Sequence, residues 1–195
     1  TTPGLSRQPI ENMLGMRGAM LAEITFKDCH VPETGLLGRS GIGMSHIATA
    51  ALQIGRYNVA AGSVGIGQAC LDHCFSFAGE RHQFGVVIKK HQLIQEMLTD
   101  LLVEVRGARL VCNQAGYCLE TGSPSALVET MEAKYVASRM AMRAAHSAVQ
   151  LHGAIGCQGN HPVSRLFRDA KVMEIIEGTN QINQIAIARH GSTLV

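Results

Sequence analysis
Between His91 and Cys112 the positions Ile94, Met97, Leu98, Leu101, Val105, Ala108 and Cys112 are apolar at steps of three and four, so a helix carries them as one continuous stripe. Leu127, Met131, Tyr135, Ser138, Met142, Ala145 and Val149 repeat the pattern with small residues interleaved, which lets helices approach closely. Gly85, Gly122-Ser123-Pro124, the segment "HGAIGCQGNHP" (His152 to Pro162) and Gly178 interrupt the periodicity. These breaks predict helices over 45–83, 89–121, 124–152, 163–176 and 179–190. Long antiparallel helices joined by short turns make an up-down, four-helix-type bundle, so the predicted fold is mainly α. The first helix carries Gly55, Gly62, Gly65 and Gly67. Each costs about 1 kcal/mol relative to alanine, which predicts tight packing or a close backbone approach there.

The opening of the chain follows another rule. Thr2-Pro3-Gly4 reads as a turn, and "AEITFKDCHVP" (Ala22 to Pro32) has the alternation and β-branched content of a short strand. One strand does not stand alone, so the expectation is that the chain begins partway through a sheet domain. Two units are predicted: 1–38, the end of a β-domain, and 39–195, the helical bundle.

Composition narrows the function classes. A length of 195 residues suffices for one substantial core. With a formal net charge of +2 and 16% charged residues of both signs, no basic run suggests nucleic-acid binding. The six cysteines, Cys29, Cys70, Cys74, Cys112, Cys118 and Cys157, lie mostly within apolar helical patterns without a C-x-x-C pair, and are read as reduced thiols in a cytosolic-type compartment. Cys70, His73 and Cys74 share a helix face but lack a second ligand pair, so no metal site is predicted. No apolar run reaches the ~18 residues of a membrane helix, and a soluble protein without membrane insertion is expected. "GSVGIG" has the wrong glycine spacing for a dinucleotide fingerprint and no strand before it.

Three stretches hold polar groups that a plain bundle does not need. In "ERHQFG" (80–85), Arg81 sits at a glycine-marked turn with Gln83 and Phe84, and His91 and Gln92 follow. The guanidinium suits either an anion clamp or a helix C-terminal cation. In "VQLHGAIGCQGNHPVSRLFRDAK", Gln150 and His152 stand where helix yields to glycine, while Arg165, Arg168, Asp169 and Lys171 read as a charged helix face. In "MEIIEGTNQINQ" (173–184), Glu177 follows two isoleucines and precedes Gly178. It is either a solvated acid at a helix end or a carboxylate in an apolar pocket, where desolvation raises its pKa towards that of a general base.

The stretches "GMRGAMLAEITFKDCHVP", "GRYNVAAGSVGIGQA", "ERHQFGVVIKKHQLIQ", "AVQLHGAIG" and "RLFRDAKVMEIIEGTNQI" together resemble the acyl-CoA dehydrogenase family, in order and over nearly the whole chain. The resemblance implies an FAD-dependent α,β-dehydrogenase of acyl thioesters. Glu177 matches the family's catalytic base, which removes the α-proton while the β-hydride passes to flavin N5, and the backbone amide of this glutamate helps polarise the thioester carbonyl. Arg81 matches an arginine that reaches the FAD pyrophosphate of a neighbouring subunit. Gln83, Phe84 and Gln92 fall on the same cofactor, and Gln150, Leu151, His152, Gly153 and Ala154 on the loop at its adenosine end. Thr179, Asn180 and Gln181 match cofactor contacts after the base. Gln53, Arg56 and Gly178 fall at the thioester site.

The resemblance further implies a homotetramer or homodimer, an acyl-CoA or acyl-carrier-protein substrate, a flavoprotein or oxygen as electron acceptor, and a cytoplasmic location, or the mitochondrial matrix in a eukaryote. Same-fold alternatives are an acyl-CoA oxidase or a flavin monooxygenase; a non-catalytic oligomerisation module is the alternative of another class. The chain departs from the family at Gln53, where an aspartate is common, at Ile176, where many members have an aromatic residue, and at His152, in place of Leu or Phe. The wording "EIIEG" and "QLHGAIG" resembles members that act on carrier-protein-bound acyl groups. Since most of the β-domain and the N-terminal helices of the family are absent, the fragment alone is expected to be inactive.

Overall fold
The computed structural model describes residues 2–191. Two antiparallel strands open it, β1 (Leu5–Pro9) and β2 (Ala22–Phe26), paired from Leu5 opposite Phe26 to Pro9 opposite Ala22. The predicted Thr2-Pro3-Gly4 turn leads into β1, with Gly4 at φ +82°. The anticipated strand over Ala22–Pro32 is shorter than expected, ending at Phe26 before Asp28 turns at φ +50°. Its partner β1, "LSRQP", was missed because it shows too little apolar alternation to read as a strand. The connection between them docks on the helical part. Met16 N–H donates to Asp169 Oδ1 at 2.6 Å, and Gly15 lies so close to the Arg168 carbonyl that a Cβ would collide with it.

Five α-helices form the remainder: α1 (Thr49–Glu80), α2 (Gln92–Glu120), α3 (Ala126–His152), α4 (Pro162–Met173) and α5 (Asn180–Gly191). The five predicted helices are therefore present. The first starts later than expected, because Gly43–Ala48 is wound as a π-turn before α1, and it stops earlier, because 82–87 is a β-hairpin. In that hairpin β3 (His82–Gln83) pairs with β4 (Val86–Val87) around a two-residue turn, Phe84 at φ +52° and Gly85 at φ +82°. Positive φ at both positions is the geometry that matches strand twist in a tight hairpin. The glycine signal was right about a break and silent about the strands.

The ends of the helices follow local chemistry. Gly122, at φ +64°, closes α2, and Ser123 N–H returns to the Cys118 carbonyl at 2.9 Å. Gly153, at φ +62°, terminates α3. Pro162 occupies the first turn of α4, and His161 Nδ1 accepts the Val163 N–H at 3.3 Å. Thr179 Oγ1 accepts the Ile182 N–H at 3.3 Å and so caps α5.

The core stripe of α2 is the predicted one: Leu98, Leu101, Val105, Ala108 and Cys112 are buried, with Ile94 and Met97 packed against them. For α3 the expected stripe is offset. Met131, Ser138 and Ala145 are buried, but Leu127, Tyr135, Met142 and Val149 are only half-buried, and the core is lined instead by Ala133, Ala137, Met140, Ala141, Ala144 and Ala148. The cause is position: α3 packs against α1, α2, α4 and α5, so its buried arc is broad, and the expected stripe lies at the edge of that arc, next to the exposed line Val136, Arg139, Arg143, His146 and Gln150. Its alanines allow close approach. Gly67 of α1 does the same, seated on Met140 where a Cβ would overlap the sulfur. All six cysteines are free thiols, and burial pushes Cys70 and Cys74 up to about 12, so they behave as small hydrophobes. Among the described residues no group of His, Cys, Asp and Glu could hold a metal, and no helix is long and apolar enough to cross a membrane.

Candidate active site
The residues singled out from the sequence separate into two clusters, one near each end of α1. Arg56 belongs to the first and Phe77 to the second, which places the clusters about 30 Å apart along the helix axis.

The first cluster surrounds Glu177. After α4 ends at Met173 the chain makes a short irregular loop to α5, and within it Glu177 takes φ +56°, followed by Gly178 at φ +84°. A left-handed conformation at a non-glycine residue costs on the order of 1 kcal/mol, so the surroundings must impose it. They do so from three helices. From α1, buried Arg56 donates through Nε to the Glu177 carbonyl at 3.4 Å. From α3, fully buried Lys134 donates through Nζ to the Gly178 carbonyl at 2.8 Å, the Glu174 carbonyl at 3.2 Å and Asn180 Oδ1 at 2.9 Å. From α5, Asn183 Nδ2 donates to the Gly178 carbonyl at 2.8 Å.

The Glu177 side chain is half-buried and lies against the α1 backbone at Gly55, where a Cβ would collide with its Oε2. Among the described residues no donor hydrogen-bonds to the carboxylate, and the Glu177 backbone N–H likewise makes no hydrogen bond. Burial lowers the Arg56 pKa, with Glu177 opposing the shift, and it pulls Lys134 down to about 8, with the Glu174 and Glu177 charges opposing it. Of the two isoleucines expected to shield the acid, Ile176 packs on the core but Ile175 is 52% exposed.

Other predicted members take distinct places here. Thr179 spends its hydroxyl on capping α5, and Gln181 is exposed in that helix's first turn. Asn180 is buried, its Oδ1 accepting from Lys134 and from Ser138 Oγ at 3.0 Å, so its side chain supports the loop from beneath. Gln53 is half-buried one helical turn before Arg56.

The second cluster is a cleft of about 750 Å³ where the end of α1, the β3–β4 hairpin, the start of α2 and the end of α3 meet. Arg81, Gln83, Phe84, Gln92, Leu151, His152, Gly153 and Ala154 all line it; Gln150 is exposed outside the lining. Phe84 is 93% exposed and stands edge-on to His91 with ring centroids 6.0 Å apart. His152 forms the floor, stacked on Phe77 at 4.4 Å and bonded through Nδ1 to the Ala148 carbonyl at 2.7 Å. Burial lowers its pKa, the Ala148 bond opposes that, and His161 and His73 add to it. An exposed guanidinium, an aromatic ring and an aliphatic wall make a surface suited to a nucleotide with its diphosphate.

Lys134 was not singled out from the sequence. The stretch "EAKYVASRMAM" holds two cations, Lys134 and Arg139, and nothing local marks the lysine as the buried one and the arginine as the exposed one. Gly55 was noted as a costly glycine; that it admits the Glu177 carboxylate is evident only in three dimensions.

The family described as "Acyl-CoA dehydrogenase, C-terminal domain" matches residues 41–192. This chain belongs to the acyl-CoA dehydrogenase family. It is 38% identical over 189 residues to the mitochondrial short-chain specific acyl-CoA dehydrogenase of Rattus norvegicus, covering 97% of this chain and 45% of that protein. Butyryl-CoA dehydrogenase from Megasphaera elsdenii superposes with a TM-score of 0.93 at 35% identity, over 100% of this chain and 50% of that one. The prolyl acyl carrier protein oxidase AnaB superposes with a TM-score of 0.91 at 28% identity, over 96% of this chain and 49% of that one. The chain spans about half the length of the relatives it matches.

Proposed function
We propose that this chain is the helical half of an FAD-dependent acyl-thioester α,β-dehydrogenase, with residues 1–38 the end of a β-domain and 39–195 the helical domain, of which 192–195 lie outside the described residues. The observation that carries the reading is Glu177: a half-buried carboxylate seated on the α1 backbone, with no donor on its oxygens among the described residues, beside its own unclaimed N–H. That pairing suits removal of a proton α to a carbonyl. The carboxylate takes the proton while the adjacent N–H donates to the thioester oxygen, where charge develops. Arg56, fixed to the Glu177 carbonyl, keeps both groups in register. A bound flavin supplies the acceptor for the β-hydride, so the α and β C–H bonds break and a C=C bond forms.

The residues present suit the cofactor. Arg81 would meet the diphosphate, Phe84 and Gln92 would flank it, and the turn from Gln150 and Leu151 through His152, Gly153 and Ala154 would receive the adenosine. Thr179 and Gln181 would meet FAD from the other cluster, with Asn180 acting from beneath them. One FAD would not serve both ends of a helix about 30 Å apart, so the cleft is assigned to the cofactor of a second subunit, in a homodimer or homotetramer. The short-chain and butyryl-CoA relatives favour acyl-CoA as substrate, bound near Gln53, Arg56 and Gly178. A second reading, an acyl-carrier-protein oxidase using oxygen instead of a flavoprotein acceptor, is favoured by the likeness to AnaB, and oxygen consumption in turnover separates the two. A cytoplasmic location, or the mitochondrial matrix in a eukaryotic source, belongs to the same proposal. In the full-length protein, Glu177→Gln is expected to keep its flavin and to slow flavin reduction by acyl-CoA roughly a hundred- to ten-thousand-fold. Undiminished reduction would refute the reading.

A further inference from the structure
Lys134 is the one lysine in the buried set, and its position beneath the Glu177 loop calls for a reason. Removing an ammonium from water is costly unless every proton finds an acceptor. Here the count closes. An ammonium has three N–H donors, and Nζ faces three acceptors: the Glu174 carbonyl, the Gly178 carbonyl and Asn180 Oδ1. Two of these are backbone groups that bracket Glu177 at positions 174 and 178, and the third belongs to the first residue of α5. The Glu174 carbonyl also receives the Asn180 N–H at 3.0 Å, and Asn180 Oδ1 also receives Ser138 Oγ. The lysine thus joins the end of α4, the start of α5 and the turn between them to one point on α3, the most enclosed helix. A fold that needed only a filled core would place an apolar side chain there, since such replacements of buried ions are often neutral or stabilising.

We propose that Lys134 is a positioning residue for the Glu177 base: it clamps the 174–180 loop so that Glu177 keeps its left-handed backbone and its carboxylate stays in the Gly55 notch. This rests on the assignment of Glu177 made above. The charged groups facing the ammonium are Glu174 and Glu177 from the loop and Arg56 from α1. The two acids hold the proton on the lysine, and burial and the arginine oppose them. A neutral amine offers two donors to three acceptors, so loss of that proton, with the pKa drawn down to about 8, releases one strand of the clamp.

The test uses the full-length, flavin-loaded protein and stopped-flow flavin reduction by acyl-CoA, with α-deuterated substrate alongside. Lys134→Met keeps the volume and removes donors and charge. It is expected to lower the limiting reduction rate roughly 10- to 100-fold, leave the half-saturating thioester concentration within about threefold, and enlarge the α-deuterium isotope effect. Lys134→Gln, which retains an N–H donor, is expected to fall between, and serves if the methionine variant does not assemble. A flavin-loaded variant with the wild-type limiting rate and isotope effect overturns the proposal. So does loss of flavin from both variants, because the lysine would then hold the fold rather than the base. Glu177→Gln in the same series separates the two assignments: if it reduces flavin at the wild-type rate the base assignment fails, and if it is slow while Lys134→Met is not, only the clamp fails.

Discussion
The two ends of α1 solve opposite problems. At the Arg56 end the supports are enclosed and fixed: an arginine and a lysine are buried, a half-buried glutamate is held at φ +56°, and the loop carbonyls are gripped from three helices. At the Arg81 end the chemistry is turned outward, with Phe84 almost fully exposed on a hairpin and Arg81 exposed beside it. Enclosure suits proton abstraction, where a small displacement of the base is expensive. Exposure suits recognition of a large cofactor brought by another subunit, because a surface that must be covered later need not be shielded now. On the proposed reading the same helix would serve both through its local composition, glycine and arginine at one end and a glycine-turned hairpin at the other.

Gly55→Ala sharpens the contrast most. The added Cβ takes the place of Oε2, and the carboxylate can swing aside at little cost because it is the end of a flexible side chain. Flavin reduction in the full-length protein is expected to fall on the order of 100-fold. Thermal stability should not fall, since alanine favours a helix over glycine by about 1 kcal/mol. A parallel drop in melting temperature and rate would mean that Gly55 serves packing and not the base.

Arg81→Ala addresses the other end. Loss of one charge-assisted contact is expected to weaken FAD retention about tenfold, read by equilibrium dialysis, while the reduction rate of the flavin-loaded enzyme holds within about twofold. Equal damage to both would erase the division between the ends. The smallest effect concerns pH. His152 is held below its ordinary pKa chiefly by burial on Phe77, so the unfolded chain binds the proton more readily than the folded one. Stability from this group is present above pH 6.5 and is lost as pH falls below it. His152→Phe is expected to flatten the acid side of a denaturation-versus-pH curve; an unchanged slope would count against a neutral, buried His152.

How much of this was legible depends on how local the cause was. The α2 stripe from Ile94 to Cys112 was read correctly because one helix face meets one core and periodicity alone selects it. The α3 stripe was misplaced because a helix packed against four others buries a broad arc, so apolar spacing marks the arc without fixing its centre, and the expected line fell at the edge beside exposed Val136, Arg139, Arg143, His146 and Gln150. The β3–β4 hairpin was hidden by its two-residue strands, too short to show alternation. Among site residues, Arg81, Gln92 and the 151–154 turn were expected together and do line one cleft. Their separation from Glu177 was only partly visible: the predicted helix over 45–83 put Arg56 and Arg81 near opposite ends, but that the 177 loop docks at the Arg56 end is a matter of packing.

The sequence by itself determined the five helices, their glycine and proline stops, the family and the candidate base, because these depend on side-chain periodicity, caps and short motifs. Tertiary structure alone decided that Glu177 rests in a notch at Gly55, that Lys134 finds three acceptors, and that Asn180 faces inward and Phe84 outward. The first two are meetings of residues far apart in the chain, from α1 or α3 and the loop before α5. The closeness that makes a carboxylate and a glycine complementary, or an ammonium and three oxygens a closed set, exists only once the helices have packed.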